Sequence, residues 1–527
     1  MNSQTQSTIN LSHFSKFKFL YFFAAFEILI IIFYILFVSF KNTAKFTLDD
    51  DIQATAQNEM KAYYALFQDV HVMIFIGFGF LMTYLKSHSW TSVATTFVLG
   101  AFSIQWGILC LGFFTALFHN KWSTDIEIDI KWLVRGDFMA GTILISFGGM
   151  IGKFNLAQYL MMAFIECIFA ACNVILCEEV IKAIDMGGSM YIHCFGAYFG
   201  IAMCLVMYEA KVDSDKKNAS SYISDLFAMV GTIFLWLFWP SFNTALASGT
   251  NQQKGIINTV LSITSSCIIV IVVSPFFNNG KLKMDNVLNA TLAGGVIMGA
   301  SSDLMEKPYT AMFVGCIGGM ISLVGFEVIA SFLNKKIHLQ DTAGIHNLHG
   351  MPGLLGGLIS AIAIATCGDN IFYERASFYY EGNEERTCKG QAGAQIAAVF
   401  VSFGIAIIGG LISGFVLKMS IWNRPIEYFD DTQYWVLPDN LEDFKVVKML
   451  SIKQAKSFNA EKKNNDEMRK KSDGEYFNDI ELHSKDDKGK TERGYLNTEN
   501  DILHSENNEK QENPQNPQIN VMNVNEN

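Results

Sequence analysis

Charge is scarce in this chain. Only 17% of its 527 residues are Asp, Glu, Lys or Arg, against about a quarter in an ordinary soluble protein. So little charge excludes a soluble globular surface over most of the length. Basic excess is also missing: 39 Lys and Arg face 50 Asp and Glu, a net charge of −11. A polyanion such as nucleic acid is therefore not an expected partner. No His-Glu-x-x-His metalloprotease pattern occurs. His346 and His349 stand three apart with no Glu between them, so neither a metal site nor a catalytic site is expected.

What is abundant is apolar sequence: half of the residues are hydrophobic and 44 are Phe. A bilayer core needs about 20 apolar residues per helix. Phe19 to Phe40 reads FLYFFAAFEILIIIFYILFVSF, with Glu27 as its only charge. It is longer than a signal-peptide core and has no small-x-small cleavage site, so it is read as a retained helix. Further candidate spans fall at 65–85, 92–118, 136–152, 157–182, 187–208, 222–247, 256–277, 285–302, 309–333, 342–366 and 391–418. The expected fold is an all-α polytopic membrane protein of about twelve transmembrane helices, with 136–152 and 285–302 short and glycine-rich. An even count puts both termini on one side. The positive-inside rule does not choose that side. Lys211, Lys216, Lys217, Lys281, Lys283, Lys335 and Lys336 on one face nearly balance Lys41, Lys45, Lys121, Lys131, Arg135, Arg375, Arg386 and Lys389 on the other.

The expected organisation is an N-terminal segment 1–18, a membrane domain 19–420, a segment 421–454 near the core, and a tail 455–527. The tail, rich in Asn, Glu, Lys and Asp, cannot bury enough apolar surface to fold alone and is expected to be disordered. Most of the ten cysteines lie in apolar spans, where a reduced structural role is expected. Cys367 and Cys388 both lie in the polar loop 367–390 and are a candidate disulfide pair if the loop lies outside the cytosol, although sequence alone gives no distance between them.

Two segments share a pattern: DMGGSMYIH from Asp185 to His193, and DTAGIHNLH from Asp341 to His349. Both read D-x-x-G-x-x-x-x-H, and both run into glycine-bearing apolar helix, CFGAYFG and GMPGLLGG. Many transporters are built from such halves, with the working site at the midplane where they meet. Each His falls inside a candidate span, and an ionisable group there is costly enough to suggest function. The bland alternative is a His satisfied by a backbone carbonyl at a helix crossing. Desolvation favours the neutral ring, which has one donor and one acceptor nitrogen. Two such rings would form a narrow polar thread for a small neutral molecule, such as ammonia, water or carbon dioxide. His71 and His338 read as structural or interfacial.

Five blocks resemble the Rh glycoprotein branch of the ammonium transporter family, over roughly residues 15–440. They are FQDVHVMIFIGFGFLM from Phe67, GGSMYIHCFGAYFG from Gly187, SDLFAMVGTIFLWLFWPSFN from Ser224, NATLAGGVIMG from Asn289 and DTAGIHNLHGMPGLLGG from Asp341. The resemblance implies an inverted-repeat fold of eleven helices plus the extra one at 19–40, and a homotrimer with one pore per subunit. It also implies cytosolic termini, with the plasma membrane as the expected location. His193 and His349 match the family's paired pore histidines. Phe138 in GDFMAG and Phe242 in WPSFN match its stacked aromatic gate. Asp185 matches the acid that holds helix geometry at the outer mouth, and Asp341 is its partner in the repeat. Where family members often carry Asn-Glu, this chain has Asn173-Val174, with Glu178 and Glu179 one turn on. The implied function is ammonium and ammonia transport by a facilitator without cofactor. A gas conduit or a membrane ammonium sensor is the alternative.

Overall fold

The computed structural model describes residues 13–122, 125–366 and 386–437. The candidate disulfide involves Cys367 and so lies outside the described residues, as does the polar tail. Cys388 itself is buried at the start of the last long helix.

The chain is a bundle of helices: α1 His13–Phe37, α2 Asp50–Val72, α3 Ser89–His119, α4 Ile130–Met150, α5 Leu156–Ile175, α6 Phe195–Val206, α7 Tyr222–Phe242, α8 Gly249–Phe277, α9 Ala293–Met298, α10 Pro308–Val324, α11 Met351–Ala365 and α12 Cys388–Lys418. Among the described residues, ten helical stretches are long and apolar enough to cross a membrane. The two remaining expected spans are the glycine-rich ones. Segment 136–152 is the C-terminal part of α4, a 21-residue helix, which also carries Lys131, Arg135 and Asp137. Segment 285–302 is broken into Met284–Leu288, a 3-10 turn, α9 and a second 3-10 turn. Both are almost wholly buried. Irregular backbone at membrane depth is tolerated where protein rather than lipid surrounds it. Ile28, Ile35, Phe313, Phe400 and Ile412 show the opposite surface, apolar and exposed on the outside of the bundle.

Local sequence explains where the helices begin. Asp49 caps α2 by accepting from the Asp51 and Ile52 N–H groups, and Asp129 caps α4 through Lys131 and Trp132. Asn155 with Gln158, and Ser221 with Ser224, form capping boxes for α5 and α7. Two short parallel strands, β1 Val38–Phe40 and β2 Ile126–Ile128, join the end of α1 to the loop before α4. Lys41 ties this corner down, donating to Asp129 at 2.8 Å and to Glu59 at 3.4 Å.

The start of α1 and the end of α12 lie on the same side, where Lys18 Nζ lies 5.4 Å from the Trp422 ring centroid. The segment after α12 stays on that side and fastens its loops. Asp431 accepts from Trp90 N–H at 3.1 Å, Thr91 N–H at 2.8 Å and Thr91 Oγ at 2.6 Å. Lys217 pairs with Glu427 and Asp430, and Arg424 pairs with Glu209.

Candidate functional site

The repeated motif follows one backbone plan in both halves, with different cap bonds. Asp185 Oδ2 accepts from the Met190 and Tyr191 N–H groups at 2.8 and 2.9 Å. Asp341 Oδ1 accepts from Gly344 and Ile345 N–H at 3.0 Å each, and Oδ2 from His346 N–H at 2.9 Å. Each carboxylate satisfies helix-terminal donors that have no intrahelical partner. The motif glycines, Gly188 at φ 69° and Gly344 at φ 73°, take the left-handed turn between Asp and helix. A side chain there would be strained. Each histidine then sits in a single π-helical stretch, Ser189–Cys194 before α6 and His346–Gly350 before α11. Such wide turns are frequent at functional sites.

The two histidine segments pass each other antiparallel. A Cβ on Gly353 would stand 2.6 Å from Ser189 O, and one on Gly200 would stand 2.7 Å from Ile345 Cδ1. Between these contacts His193 and His349 meet, with Nδ1 to Nδ1 at 3.2 Å, ring centroids at 5.1 Å and planes 15° apart. Both are buried, 1% and 3% exposed. In a hydrogen bond between two neutral rings, one Nδ1 donates and the other accepts. The outward Nε2 atoms are then one acceptor and one donor. His193 Nε2 is buried without a hydrogen-bond partner.

Aromatic rings line the row on both flanks. Phe138 and Phe242 stand 4.8 Å apart at a 51° tilt, and Phe242 lies 5.7 Å from His193. Trp239 lies 5.6 Å from His193, and Phe78 lies 6.4 Å from His349. The expected gate pair is thus brought together and next to the histidines. Two bonds from α2 reach the residues just before each ring: His71 Nδ1 meets Asp137 Oδ1 at 2.9 Å, and Ser241 Oγ donates to Asp69 Oδ2 at 2.6 Å. His71, expected to be structural, therefore holds Asp137, the neighbour of Phe138.

A cavity lies at each end of the row. One, of about 740 Å³, reaches Phe138 and Asp185 and is lined by Glu178, Glu179, Arg135 and His119. Arg135 donates to Glu178 at 3.0 Å, and His119 meets Glu179. Burial pushes the Asp185 carboxyl up to about 7, against the pull of the Tyr191 and Met190 N–H groups. The other cavity, of about 250 Å³, is lined by Asp213, Asp341, His346 and Asn347. Asp341 is likewise raised by burial, opposed by the hydrogen bonds from His346 and Ile345. The second cavity lies on the side of the chain's two described ends, since its loop 212–218 continues into Ala219, which accepts from the Lys86 N–H beside the Asp431 clasp.

Sequence reasoning passed over Trp239, Phe78, Asp69 and Asn347. Asp69 and Phe78 stand in the block quoted from Phe67, and Asn347 stands inside the second repeat, but nothing local separates them from their neighbours. From sequence, His346 stands out only as a candidate metal ligand. No cluster of three or more metal-ligating side chains occurs among the described residues.

A polytopic helical membrane protein with a buried imidazole pair and a row of aromatics between two cavities has the architecture of a membrane transporter. The profile of the Ammonium Transporter Family matches residues 29–434, and the chain belongs to that family. It is 42% identical over 401 residues to ammonium transporter Rh type B of Danio rerio, covering 74% of this chain and 85% of that one. With Rh type C of Xenopus tropicalis it shares 39% over 431 residues, covering 79% and 91%. Its structure superposes on Rh50 of Nitrosomonas europaea, described with the Rhesus protein family of channels. The TM-score is 0.64 at 28% identity, over 75% of this chain and 97% of that one.

Proposed function

We propose that this protein moves ammonium across a membrane by conducting ammonia between His193 and His349. Family membership and the Rh-type relatives support ammonium and ammonia transport. The observation that carries the pore assignment is the direct contact of the two buried imidazoles between the two cavities. Ammonium enters the larger cavity, which holds Glu178, Glu179 and Asp185. A bare cation would lose its hydration at the Phe138–Phe242 pair with nothing to replace it. The proton is therefore left behind, and neutral ammonia passes. Ammonia both donates and accepts, matching the donor and acceptor that the imidazole pair offers. The protein acts as a facilitator and forms no covalent intermediate. In this reading it is a homotrimer with one pore per subunit, residing in the plasma membrane with cytosolic termini. The larger cavity is then the outer mouth and the smaller the inner one. The membrane domain spans 19–420, and segment 421–454 and the tail extend into the cytosol.

Stopped-flow measurement of internal pH in proteoliposomes after an ammonium jump, with current recorded in parallel, tests this. Alkalinisation faster than in empty liposomes and without current is expected. His349→Ala should change rate or selectivity while leaving the assembly intact, and unchanged flux and selectivity would remove the pore assignment. Carbon dioxide is a second permeant the same apolar lining suits, and a carbon dioxide jump in the same vesicles separates it from ammonia.

A further inference from the structure

A third cavity lies away from the histidine row, between α1 and α3. It holds about 580 Å³, and the side chains lining it carry no charge. Six aromatic rings wall it: Phe33 and Phe37 on α1, Trp106, Phe113 and Phe114 on α3, and Trp122 in the loop beyond. The last residue of α3, His119, lines the larger pore cavity, so Trp106 marks the deep end of the space. Stacked rings close that end. Trp106 lies 6.3 Å from Phe33 at 25° and 4.8 Å from Phe164 at 15°. Its indole N–H is already satisfied, donating to the Phe164 carbonyl at 3.0 Å. Ile126 of β2 covers the other end. It is seated on Gly112, where a Cβ would stand 2.2 Å from Ile126 Cδ1. From Trp106 to Ala116, which also lines the space, the helix rises about 15 Å. That is the depth of one leaflet's hydrocarbon, half of about 30 Å. Phe37, Phe113 and Trp122 are each more than half exposed, so the cavity opens sideways on the outside of the bundle.

Apolar walls of this kind do not hold water, which needs several polar partners. At membrane depth the filler is lipid, and the walls choose among lipids. An acyl chain gains little by entering, because bulk lipid is as apolar as the cavity. It also loses conformational freedom against rigid rings. A fused-ring lipid has little such freedom to lose. Its flat faces match flat aromatic side chains, so close packing supplies the preference. The helix α1 lacks such packing from the protein itself, since only 6% of its apolar span is buried. We propose that this cavity binds a sterol, with the ring system against Trp106, Phe113 and Phe114 and the hydroxyl at the rim beside Trp122. Trp is a residue type that gathers at the membrane–water interface, where a sterol hydroxyl also lies. The site is separate from the histidine row and does not depend on which molecule crosses there.

The test uses the full chain in phosphatidylcholine nanodiscs, with a diazirine-bearing cholesterol as the photoprobe. Labelled peptides should map to α1 and α3 around the cavity, despite the excess of phosphatidylcholine. Added unlabelled cholesterol should lower that labelling several-fold. Ala116→Phe fills the space and should abolish labelling there. Phe113→Ala removes a wall at an exposed position and should lower labelling several-fold. Each variant is first checked for a monodisperse peak after detergent extraction, and if Ala116→Phe does not fold, Phe113→Ala decides. Label spread evenly over the exposed helices, label that cholesterol does not displace, or wild-type labelling in the folded variants would mean that ordinary acyl chains fill the cavity. Any of these would overturn the proposal.

Discussion

The halves around His193 and His349 share their backbone and differ in their surroundings. In both, an Asp caps the segment, a left-handed Gly turns it, and a π-helical stretch presents the His. Yet one half opens to about 740 Å³ beside a pair of Phe rings, and the other to about 250 Å³ beside His346 and Asn347. The shared residues are those that hold backbone geometry. Of the residues that differ, Tyr191 lines one cavity and His346 and Asn347 line the other. A two-fold scaffold can therefore carry two chemically unlike mouths, because a cap and a turn constrain only a few positions per helix.

The sharpest way to break this comparison is to remove the shared turn. A Cβ at Gly188 would stand 2.4 Å from Ile192 Cδ1, and one at Gly344 would stand 2.3 Å from Phe326 Cε1. Valine adds left-handed backbone strain of about 1–2 kcal/mol on top of the overlap. Gly188→Val and Gly344→Val should both abolish the folded protein, measured as loss of the monodisperse peak after detergent extraction. A half that tolerates valine would show that the halves do not share a turn.

The caps come next. Asp341 accepts three backbone N–H bonds and Asp185 two. Hydrogen bonds to a charged group are worth about 1.5–3 kcal/mol each. Asp341→Ala should therefore lower the unfolding temperature more than Asp185→Ala does, and the reverse order would contradict the bond count.

The gate belongs to one mouth only, so its bracing should matter to flux more than to folding. Ser241→Ala removes the bond to Asp69, a loss of about 1–3 kcal/mol in local order. Ammonia flux should drop a few-fold with little change in melting temperature. Equal loss of stability and flux would make Asp69 a structural anchor instead.

The smallest effect is a pH slope. The Asp185 carboxyl lies near 7 in the fold, above its ordinary 3.8. The folded chain thus keeps a proton that the unfolded chain releases. Asp185 contributes most below 3.8, and stability declines as pH rises from there to about 7, then levels off. Asp185→Asn should remove that slope in melting curves taken across the window. A slope that survives would place the titration elsewhere.

Much of this was legible along the chain because its causes are local. Apolar runs mark helices that cross a bilayer, and Asp-x-x-Gly marks a cap and a turn within a few residues. The glycine-rich segments 136–152 and 285–302 were harder to read as spans, because buried helices need neither length nor uniform apolarity. Nothing local distinguishes Phe138 and Phe242 among 44 Phe. They were placed by resemblance, and the structure sets them 4.8 Å apart.

The sequence by itself determined a membrane protein of many helices, built on two copies of one motif, with an imidazole in each. Only the tertiary structure decided that the two imidazoles touch, that Asp69 and His71 hold the residues beside the Phe242 and Phe138 rings, and that His346 and Asn347 line the smaller cavity. The reason is range. A cap or a hydrophobic run is settled within a few residues, whereas a contact between residues far apart in the chain depends on how every helix between them packs.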